Sequence, residues 1–349
     1  MERFECGPIK VLAGVEPARK RPGMYVGDTA DGSGMHRMLW WLVQSMIDGD
    51  ASATYVRVQV DGDELTIEDD GPGLPIDTAP DGRPMVEILF TTLHGMFALT
   101  GYPVASALSA CLDVEVWRGG RRYRQRFERG VAVTPLWEAG SATRTGTRIR
   151  LVPDFTIFDR FPWDLRALSR HARDQAVLHP GLAFLVQGRA FRAPAGLADH
   201  ARHLGRRHRA IHRDPLHVSG TRDGIGVDAA FLWTDGDRLR TAAFVNQDRV
   251  PTGSHRAGLH DGVRDALERL APDRLRGVYP AAFREVVAPG LVALVRVAVE
   301  SPRYAGGWRH RLVMPEVRAA VRAVVADGLA AALDADRALL GRLLARMPA

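Results

Sequence analysis

Residues 54–75 read TYVRVQVDGDELTIEDDGPGLP, and their pattern decides the fold class. Apolar and polar residues alternate on both sides of the DGDE segment at 61–64, which predicts a β-hairpin closed by a tight turn. The second strand ends in a loop rich in glycine and proline. Asp69 and Asp70 therefore lie where a strand gives way to a loop, and Asp69-Asp70-Gly71 taken alone is typical of an ordinary turn.

The segment before the hairpin, residues 35–50, reads MHRMLWWLVQSMIDGD. Its apolar residues recur at helical spacing, which predicts an amphipathic helix with one core-facing stripe. Trp41, Ser45 and Asp48 stand at i, i+4 and i+7, so they share a different face of that helix. The neighbouring Trp40 is one step round the helix, and we interpret it as a packing residue.

The chain continues as a mixture of strands and helices. The Gly-Gly turn in LDVEVWRGGRRYRQRFERG (112–130) predicts a second hairpin, and GTRIRLVPD (146–154) predicts another strand. Residues 86–112 are apolar and predict two helices separated by a turn at Gly101-Tyr102-Pro103. A new series of predicted strands followed by helices begins near residue 213. We therefore expect two α+β domains, at 1–212 and 213–349.

Composition restricts the class of function. All but Lys10 and Lys20 of the 47 Lys and Arg residues are arginine, and the net charge of +6 is too mild to predict a nucleic-acid-binding protein. We expect DNA contact to be weak or absent, and interpret the basic run at 202–213 as a solvated helix end and linker. The two cysteines, Cys6 and Cys111, form no disulfide framework, and no apolar run is long enough to span a membrane. These features favour a cytoplasmic protein with no membrane contact.

Several motifs, in order and at compatible spacing, resemble the DNA gyrase B family. They are ARKRPGMYVGDT (18–29), IEDDGPGLP (67–75), RTGTRIRLVPD (144–154), GIGVDAAFLW (224–233) and SHRAGLHDGVRDAL (254–267). The resemblance covers essentially the whole chain. It implies an α+β protein with a GHKL (Bergerat-type) ATPase-like α/β sandwich and N-terminal arm over 1–212, followed by a ribosomal-S5-like transducer domain over 213–349. The family's metal-binding TOPRIM part is expected to be lacking, because no EGDSA-type or PLRGK-type stretch is present.

The resemblance implies that the adenine end of the family's nucleotide site is kept. Asp69 matches the carboxylate that accepts the adenine amino proton, and Thr147 matches the threonine that supports it. Gly73 matches the glycine that lets the ring approach the backbone. Arg124 matches an arginine at the mouth of the pocket.

The same resemblance implies that the catalytic end is lost. Trp41 stands at the position of the general-base glutamate, and an indole accepts no proton from water. Ser45 stands at the position of the magnesium-binding asparagine. Gly49 and Pro72 replace a glutamate and an arginine that pair with each other in the family, so no single charge is left behind.

The phosphate-binding parts also differ from the family. The glycine-rich ATP lid is shortened, and side chains replace the glycines and histidine whose backbone amides cradle phosphate. An arginine stands near the position of the lysine that reaches the terminal phosphate, and Phe4 replaces a tyrosine of the arm. The lost family positions are Trp41, Ser45, Gly49, Pro72, Leu99, Trp308 and Arg309. We therefore expect no metal site, no cofactor, no ATP hydrolysis and no topoisomerase activity, while weak binding of adenine nucleotides stays open.

Two readings of the altered pocket stay open at this point. Large apolar side chains fill a collapsed pocket in the first reading, whereas in the second they line a cavity for an apolar or amphipathic small molecule. The second reading predicts that the ligand contacts are Trp41, Ser45, Asp48, Asp69, Gly73, Pro75, Met96, Phe97, Arg124 and Thr147.

A small-molecule pocket has several uses. Our most specific hypothesis is a natural-product biosynthetic cyclase of the Diels–Alder type, which needs a shaped cavity and a hydrogen-bond donor such as Arg124 or a protonated Asp69. The alternatives are a non-catalytic protein that sequesters a gyrase inhibitor for self-resistance, and an inactive regulatory partner of gyrase. Whether the chain forms a homodimer is left open.

Overall fold

The computed structural model describes residues 13–49, 52–93, 101–275, 289–306 and 310–346. The chain divides into two compact units. The first comprises Met1–Arg173 and Gly181–Arg192, and the second comprises Asp174–Pro180 and Ala193–Ala349. Both units mix strands and helices, which agrees with the expected α+β class.

The first unit is built on a sheet that has nine strands in the part of the chain described. The strands are β1 (Tyr55–Asp61), β2 (Glu64–Asp69), β3 (Ser109–Arg118), β4 (Arg121–Glu128), β5 (Val131–Ala132), β6 (Trp137–Ser141), β7 (Gly146–Pro153), β8 (Ala183–Val186) and β9 (Arg189–Phe191). Their order is β5-β4-β3-β7-β2-β1-β8-β9, and β6 pairs with β4. The hairpin expected at 54–69 is the antiparallel pair β1–β2.

Helices cover one face of this sheet. They are α1 (Glu16–Lys20), α2 (Gly23–Val26), α3 (Ser33–Gly49), α4 (Met85–Thr91), α5 (Gly101–Ala107) and the part of α6 (Leu165–Leu178) that ends at Arg173. The core lies between helices and sheet, and includes the buried residues Met35, Met38, Leu39, Leu42, Val56, Val58, Leu65, Ile67, Phe90, Leu112, Val114, Phe127, Ile149 and Leu151. Strand residues of the opposite parity are mostly charged, so the second face of the sheet is polar.

The amphipathic helix expected at 35–48 is confirmed as α3. Met35, Met38, Leu39 and Leu42 of its stripe are fully buried. Trp40 is also buried, and its ring stacks on His171 of α6 with the centroids 4.1 Å apart. This contact confirms the packing role predicted for Trp40.

The turn predicted at Gly101-Tyr102-Pro103 is wrong, because these residues form the start of α5. Proline is tolerated there, since the N–H groups of the first helical turn have no partner inside the helix. A glycine is needed because a Cβ at Gly101 would lie 2.1 Å from the carbonyl oxygen of Trp41. The apolar residues after Ala107 continue as strand β3 and not as helix.

The second unit carries a five-stranded sheet in the order β10-β11-β15-β12-β13 and a short pair β14–β16. Its strands are β10 (Leu216–Arg222), β11 (Ile225–Trp233), β12 (Arg240–Val245), β13 (Asp248–Arg249), β14 (Thr252–Gly253), β15 (Leu291–Ala298) and β16 (Arg311–Leu312). Its helices are α7 (Leu197–Gly205), α8 (Ser254–Leu270), α9 (Pro272–Leu275), α10 (Pro315–Ala335) and α11 (Arg337–Leu344). Helices α8 and α10 pack closely, since a Cβ at Gly258 would lie 2.5 Å from the carbonyl oxygen of Arg318.

Residues 193–212, which the sequence pattern placed in the first domain, belong to the second unit. The backbone N–H of Ile211 donates to the carbonyl oxygen of Trp233, and the N–H of Trp233 donates to Nε2 of His212 at 3.0 Å. These bonds anchor the basic run to β11, so its last residues are part of the sheet packing and not a solvated linker. Within the described ranges, no helix is long and apolar enough to cross a bilayer.

Candidate functional site

Asp69 and Thr147 form a buried polar pair at the end of the sheet. The carboxylate oxygen Oδ1 of Asp69 accepts hydrogen bonds from the backbone N–H of Gly71 at 2.9 Å and of Thr147 at 3.3 Å. The Thr147 hydroxyl oxygen accepts a bond from the N–H of Leu74 at 3.1 Å. Asp69 and Thr147 are only 8% and 2% exposed. The loop after β2 is therefore fixed to the start of β7 around one buried carboxylate.

Two glycines make this close arrangement sterically feasible. Gly73 has a φ of +82°, and a Cβ there would lie 2.7 Å from the carbonyl oxygen of Trp117. Gly146 has a φ of +133°, and its Cβ would lie 2.2 Å from the carbonyl oxygen of Asp69. Positive φ and close backbone contact both require glycine at these positions.

Helix α5 begins directly against the face of α3 that carries Trp41 and Ser45. The backbone N–H of Gly101 donates to the Ser45 hydroxyl oxygen at 3.0 Å, and Ser45 is buried. Trp41 is half-buried, and Asp48 is exposed and accepts a bond from Gln44 Nε2 at 2.7 Å. The predicted site residues of α3 therefore do lie on one face, at its junction with α5.

Tyr102 is the main site residue that the sequence pattern did not reveal. Its side chain is 1% exposed, and its ring centroid lies 5.2 Å from that of Phe90. Burial raises the pKa of the Tyr102 phenol far above its usual value, and the nearby carboxylates of Asp69 and Asp48 raise it further. The phenol is thus neutral, and the charge of Asp69 acts on it. Its position directly after Gly101, in the first turn of α5, was the available signal.

Arg124, which we predict at the mouth of the pocket, is held by Glu115 on the other face of the sheet. Its Nε and Nη2 donate to Oε1 of Glu115 at 3.0 and 2.8 Å. Arg124 of β4 is the cross-strand partner of Glu115 in β3. Thr147 of β7 is the cross-strand partner of Val116, the next residue of β3. Successive side chains of a strand point to opposite faces, so Arg124 lies on the polar face, away from Asp69 and Thr147.

The other predicted positions are distributed as follows. Pro72 is exposed in the loop after β2, Pro75 is half-buried there, and Gly49 is the last residue of α3. Phe4, Met96, Phe97, Leu99, Trp308 and Arg309 lie outside the described residues. Among the residues that are described, no group of His, Cys, Asp or Glu is arranged to hold a metal ion.

Known sequences agree with the motif resemblance. A family model described as DNA gyrase B matches residues 196–348. The DNA gyrase B protein of Thermotoga maritima is 31% identical, with 99% of this chain and 59% of the relative aligned. The corresponding protein of Halalkalibacterium halodurans is 32% identical over 91% of this chain and 54% of its own length. The chain thus spans little more than half the length of these curated relatives.

Solved structures give the same result. The 43K ATPase domain of Thermus thermophilus gyrase B, crystallised with an aminocoumarin, aligns with a TM-score of 0.79 at 30% identity, covering 94% of this chain and 92% of that one. Gyrase B of Myxococcus xanthus aligns with a TM-score of 0.74 at 27% identity, covering 94% and 99%. The fold is therefore the mixed α/β fold of gyrase B ATPase and transducer domains. This chain belongs to the DNA gyrase B family and corresponds to its N-terminal region.

Proposed function

We propose that this chain is a gyrase-B-like protein that does not hydrolyse ATP and has no topoisomerase activity of its own. The observation that carries the proposal is the junction of α3 and α5. Trp41 stands there at the family's general-base position, and the Ser45 hydroxyl at the metal-ligand position accepts the Gly101 N–H. An indole neither accepts a proton nor activates water, so this junction lacks the base that hydrolysis requires.

The second part of the proposal is that the chain binds nucleotides only weakly, because Tyr102 restricts the pocket. Its ring is fully buried, and the charge of Asp69 acts on its phenol, so we infer that the ring narrows the space beside Asp69, the residue that accepts the adenine amino group in the family. A purine placed against Asp69 competes with that ring for the same volume, and interiors are packed too densely to hold both.

The experiment is a phosphate-release assay with Mg-ATP, using the Thermus thermophilus 43K ATPase domain as the positive control. We expect no ATP-dependent release above that of a blank. Release that matches the control and disappears in Asp69→Asn would overturn the proposal, because it would assign turnover to this site.

As a second candidate function, we propose that the Asp69 end binds an apolar or amphipathic small molecule without chemistry. Asp69, Thr147 and the loop containing Gly73 and Pro75 form the polar part of this proposed site. The related Thermus domain was crystallised with an aminocoumarin, which makes gyrase inhibitors the first ligands to test. Calorimetry against a panel of such inhibitors should show binding that Asp69→Asn weakens, and no response across the panel would reject sequestration.

The cyclase hypothesis is weaker than simple binding. Of its two candidate groups, Arg124 donates to Glu115 on the other face of the sheet, which leaves Asp69 as the remaining candidate. Incubation with linear polyene substrates is its test, and an unchanged rate of cyclisation would reject it. The regulatory hypothesis rests on the second unit, where the family model matches residues 196–348, and failure to co-purify with the components of gyrase would reject it.

A further inference from the structure

The polar face of the first sheet carries a row of alternating charges across five neighbouring strands. In the order of the strands β1, β2, β7, β3 and β4, the row consists of Arg57, Glu68, Arg148, Glu115 and Arg124. Each member is the direct cross-strand partner of the next. The hydrogen bonds that join Asp69 to the loop after β2 and to β7 involve none of these five side chains.

The charges of this row are arranged in two layers. Glu68 and Glu115 are buried at 2% and 8% exposure, whereas the side chains of Arg57, Arg148 and Arg124 are 38%, 39% and 47% exposed. The carboxylates thus form the floor, and the guanidinium groups form the surface that a partner meets.

Each buried glutamate is held by several arginines. Glu68 lies 3.1 Å from Arg144 and 2.6 Å from Arg148. Burial alone would raise the pKa of Glu68, but the hydrogen bonds from Arg144 and Arg148 outweigh it and hold the pKa below its usual value. Glu115 lies 3.6 Å from Arg122, 2.8 Å from Arg124 and 3.3 Å from Arg148. A guanidinium has five N–H donors, so arginines that share one carboxylate keep donors for a second anion.

Positive charge is in excess over the whole face. A second row places Asp113 between Arg126 and Arg150, and the face encloses a groove of about 570 Å³. The arginines of the face are Arg57, Arg122, Arg124, Arg126, Arg144, Arg148 and Arg150. The carboxylates of the face are Asp61, Glu64, Glu68, Asp113, Glu115 and Glu128. Seven cations against six anions leave a small excess of positive charge. Because Glu68 and Glu115 are buried beneath the arginines, the exposed surface is complementary to an anionic partner.

The spacing of the arginines matches an extended peptide. Arg122, Arg124 and Arg126 are alternate residues of β4, so their side chains leave the same face about 6.7 Å apart. Every second side chain of an extended peptide has the same spacing, for the same geometric reason. Carboxylates suit this surface because the planar guanidinium fork binds them in a bidentate manner.

We propose that this face binds an extended acidic peptide segment, with carboxylates at every second residue running along β4. Trp137, which pairs with Arg124 and is 47% exposed, supplies an apolar contact at the side of the track. Single-stranded nucleic acid fits less well, because its binding relies on successive exposed aromatic platforms. The Trp117 ring of this face is covered by the Arg144 guanidinium, 3.6 Å from the ring centroid.

The test uses a fluorescein-labelled ten-residue peptide of alternating Glu and Ser. Its binding to the chain is measured by fluorescence anisotropy at low salt. The double variant R122Q/R126Q removes two arginines of the track, while Glu115 keeps Arg124 and Arg148, and Asp113 keeps Arg150. The control R318Q/R322Q removes the same charge from α10, where Arg318 and Arg322 form ion pairs with Asp261 and Asp265 of α8.

We expect R122Q/R126Q to bind about tenfold more weakly, as follows from losing two exposed ion pairs, and R318Q/R322Q to bind like the parent chain. The affinity should also fall as salt rises. Unchanged melting temperatures of both variants show that the fold is kept. The proposal is overturned by no binding of the peptide, by equal weakening in both variants, or by tighter binding of a single-stranded oligonucleotide of equal charge.

Discussion

The backbone N–H of Gly101 donates a hydrogen bond to the hydroxyl oxygen of Ser45, 3.0 Å away. This bond joins the first residue of α5 to the middle of α3, on the face that also carries Trp41. Ser45, which the resemblance matches to a metal ligand of the family, is therefore engaged by the protein's own backbone. The close approach depends on the absence of a side chain at Gly101.

Gly101→Ala should destabilise the first unit. The added Cβ would lie 2.1 Å from the Trp41 carbonyl oxygen and 2.6 Å from Ser45 Oγ, so the two helices must separate. Overpacking of this kind costs about 3 kcal/mol in the free energy of unfolding. Urea denaturation measures the change. Gly23→Ala is the control, because nothing lies within 4 Å of its added Cβ, and an equal loss in both variants would contradict the role of the junction.

Tyr102→Val should open space beside Asp69. Removing most of a fully buried aromatic side chain costs about 3 kcal/mol of stability and leaves a cavity. We expect the variant to bind ADP more tightly than the parent chain, as measured by calorimetry. Tyr102→Phe keeps the ring and should leave ADP binding unchanged. If the phenylalanine variant gains as much affinity as the valine variant, the ring does not restrict the pocket.

Thr147→Val should loosen the loop that follows β2. The variant loses the hydroxyl oxygen that accepts the Leu74 N–H at 3.1 Å. Leaving that donor without its partner costs about 1–2 kcal/mol in the free energy of unfolding. Chemical denaturation measures the loss. The exposed Thr143→Val serves as the comparison, and a similar loss there would show that the effect is not specific to the loop.

His255 should make the stability of the second unit depend on pH. The ring is fully buried, and Nε2 lies 2.9 Å from the carbonyl oxygen of Val250. Burial lowers the pKa of His255 from 6.5 to about 4, with Arg256 adding to the effect. Because the unfolded chain binds the proton more readily, stability is full above pH 6.5 and falls between pH 6.5 and 4, by at most about 1.4 kcal/mol per pH unit.

The variant His255→Gln should show a shallower loss of stability towards low pH, as followed by thermal unfolding between pH 4 and 7. The part due to His212, whose pKa is also lowered by burial, should remain. A parallel pH dependence in the parent chain and His255→Gln would show that other groups cause it.

Much of the fold could be predicted because the alternation of apolar and polar residues along a strand indicates which side chains are buried. In 54–69 the apolar positions have a period of two, and the strands β1 and β2 pair in the expected hairpin. The helix α3 followed equally from the spacing of Met35, Met38 and Leu42. The turn prediction at Gly101-Tyr102-Pro103 failed because glycine and proline occur both in turns and at the start of helices. The contact with Trp41 that selects a helix start is distant in sequence.

The candidate site could be predicted in part. The family match placed Asp69 and Thr147 together, and they do share a buried hydrogen-bond network with the loop between them. The same match placed Arg124 at the mouth of the pocket, and the period of two in β4 puts it on the face opposite to the buried Phe127. Strand alternation was the better guide there. Tyr102 was missed because its segment was interpreted as a turn.

Phosphate release from Mg-ATP tests the central claim most directly. The chain and the Thermus thermophilus 43K ATPase domain are assayed side by side. We expect release by the Thermus domain and none above the blank by this chain. Release by the unmodified chain at a rate like that of the Thermus domain, abolished in Asp69→Asn, would contradict the loss of ATP hydrolysis.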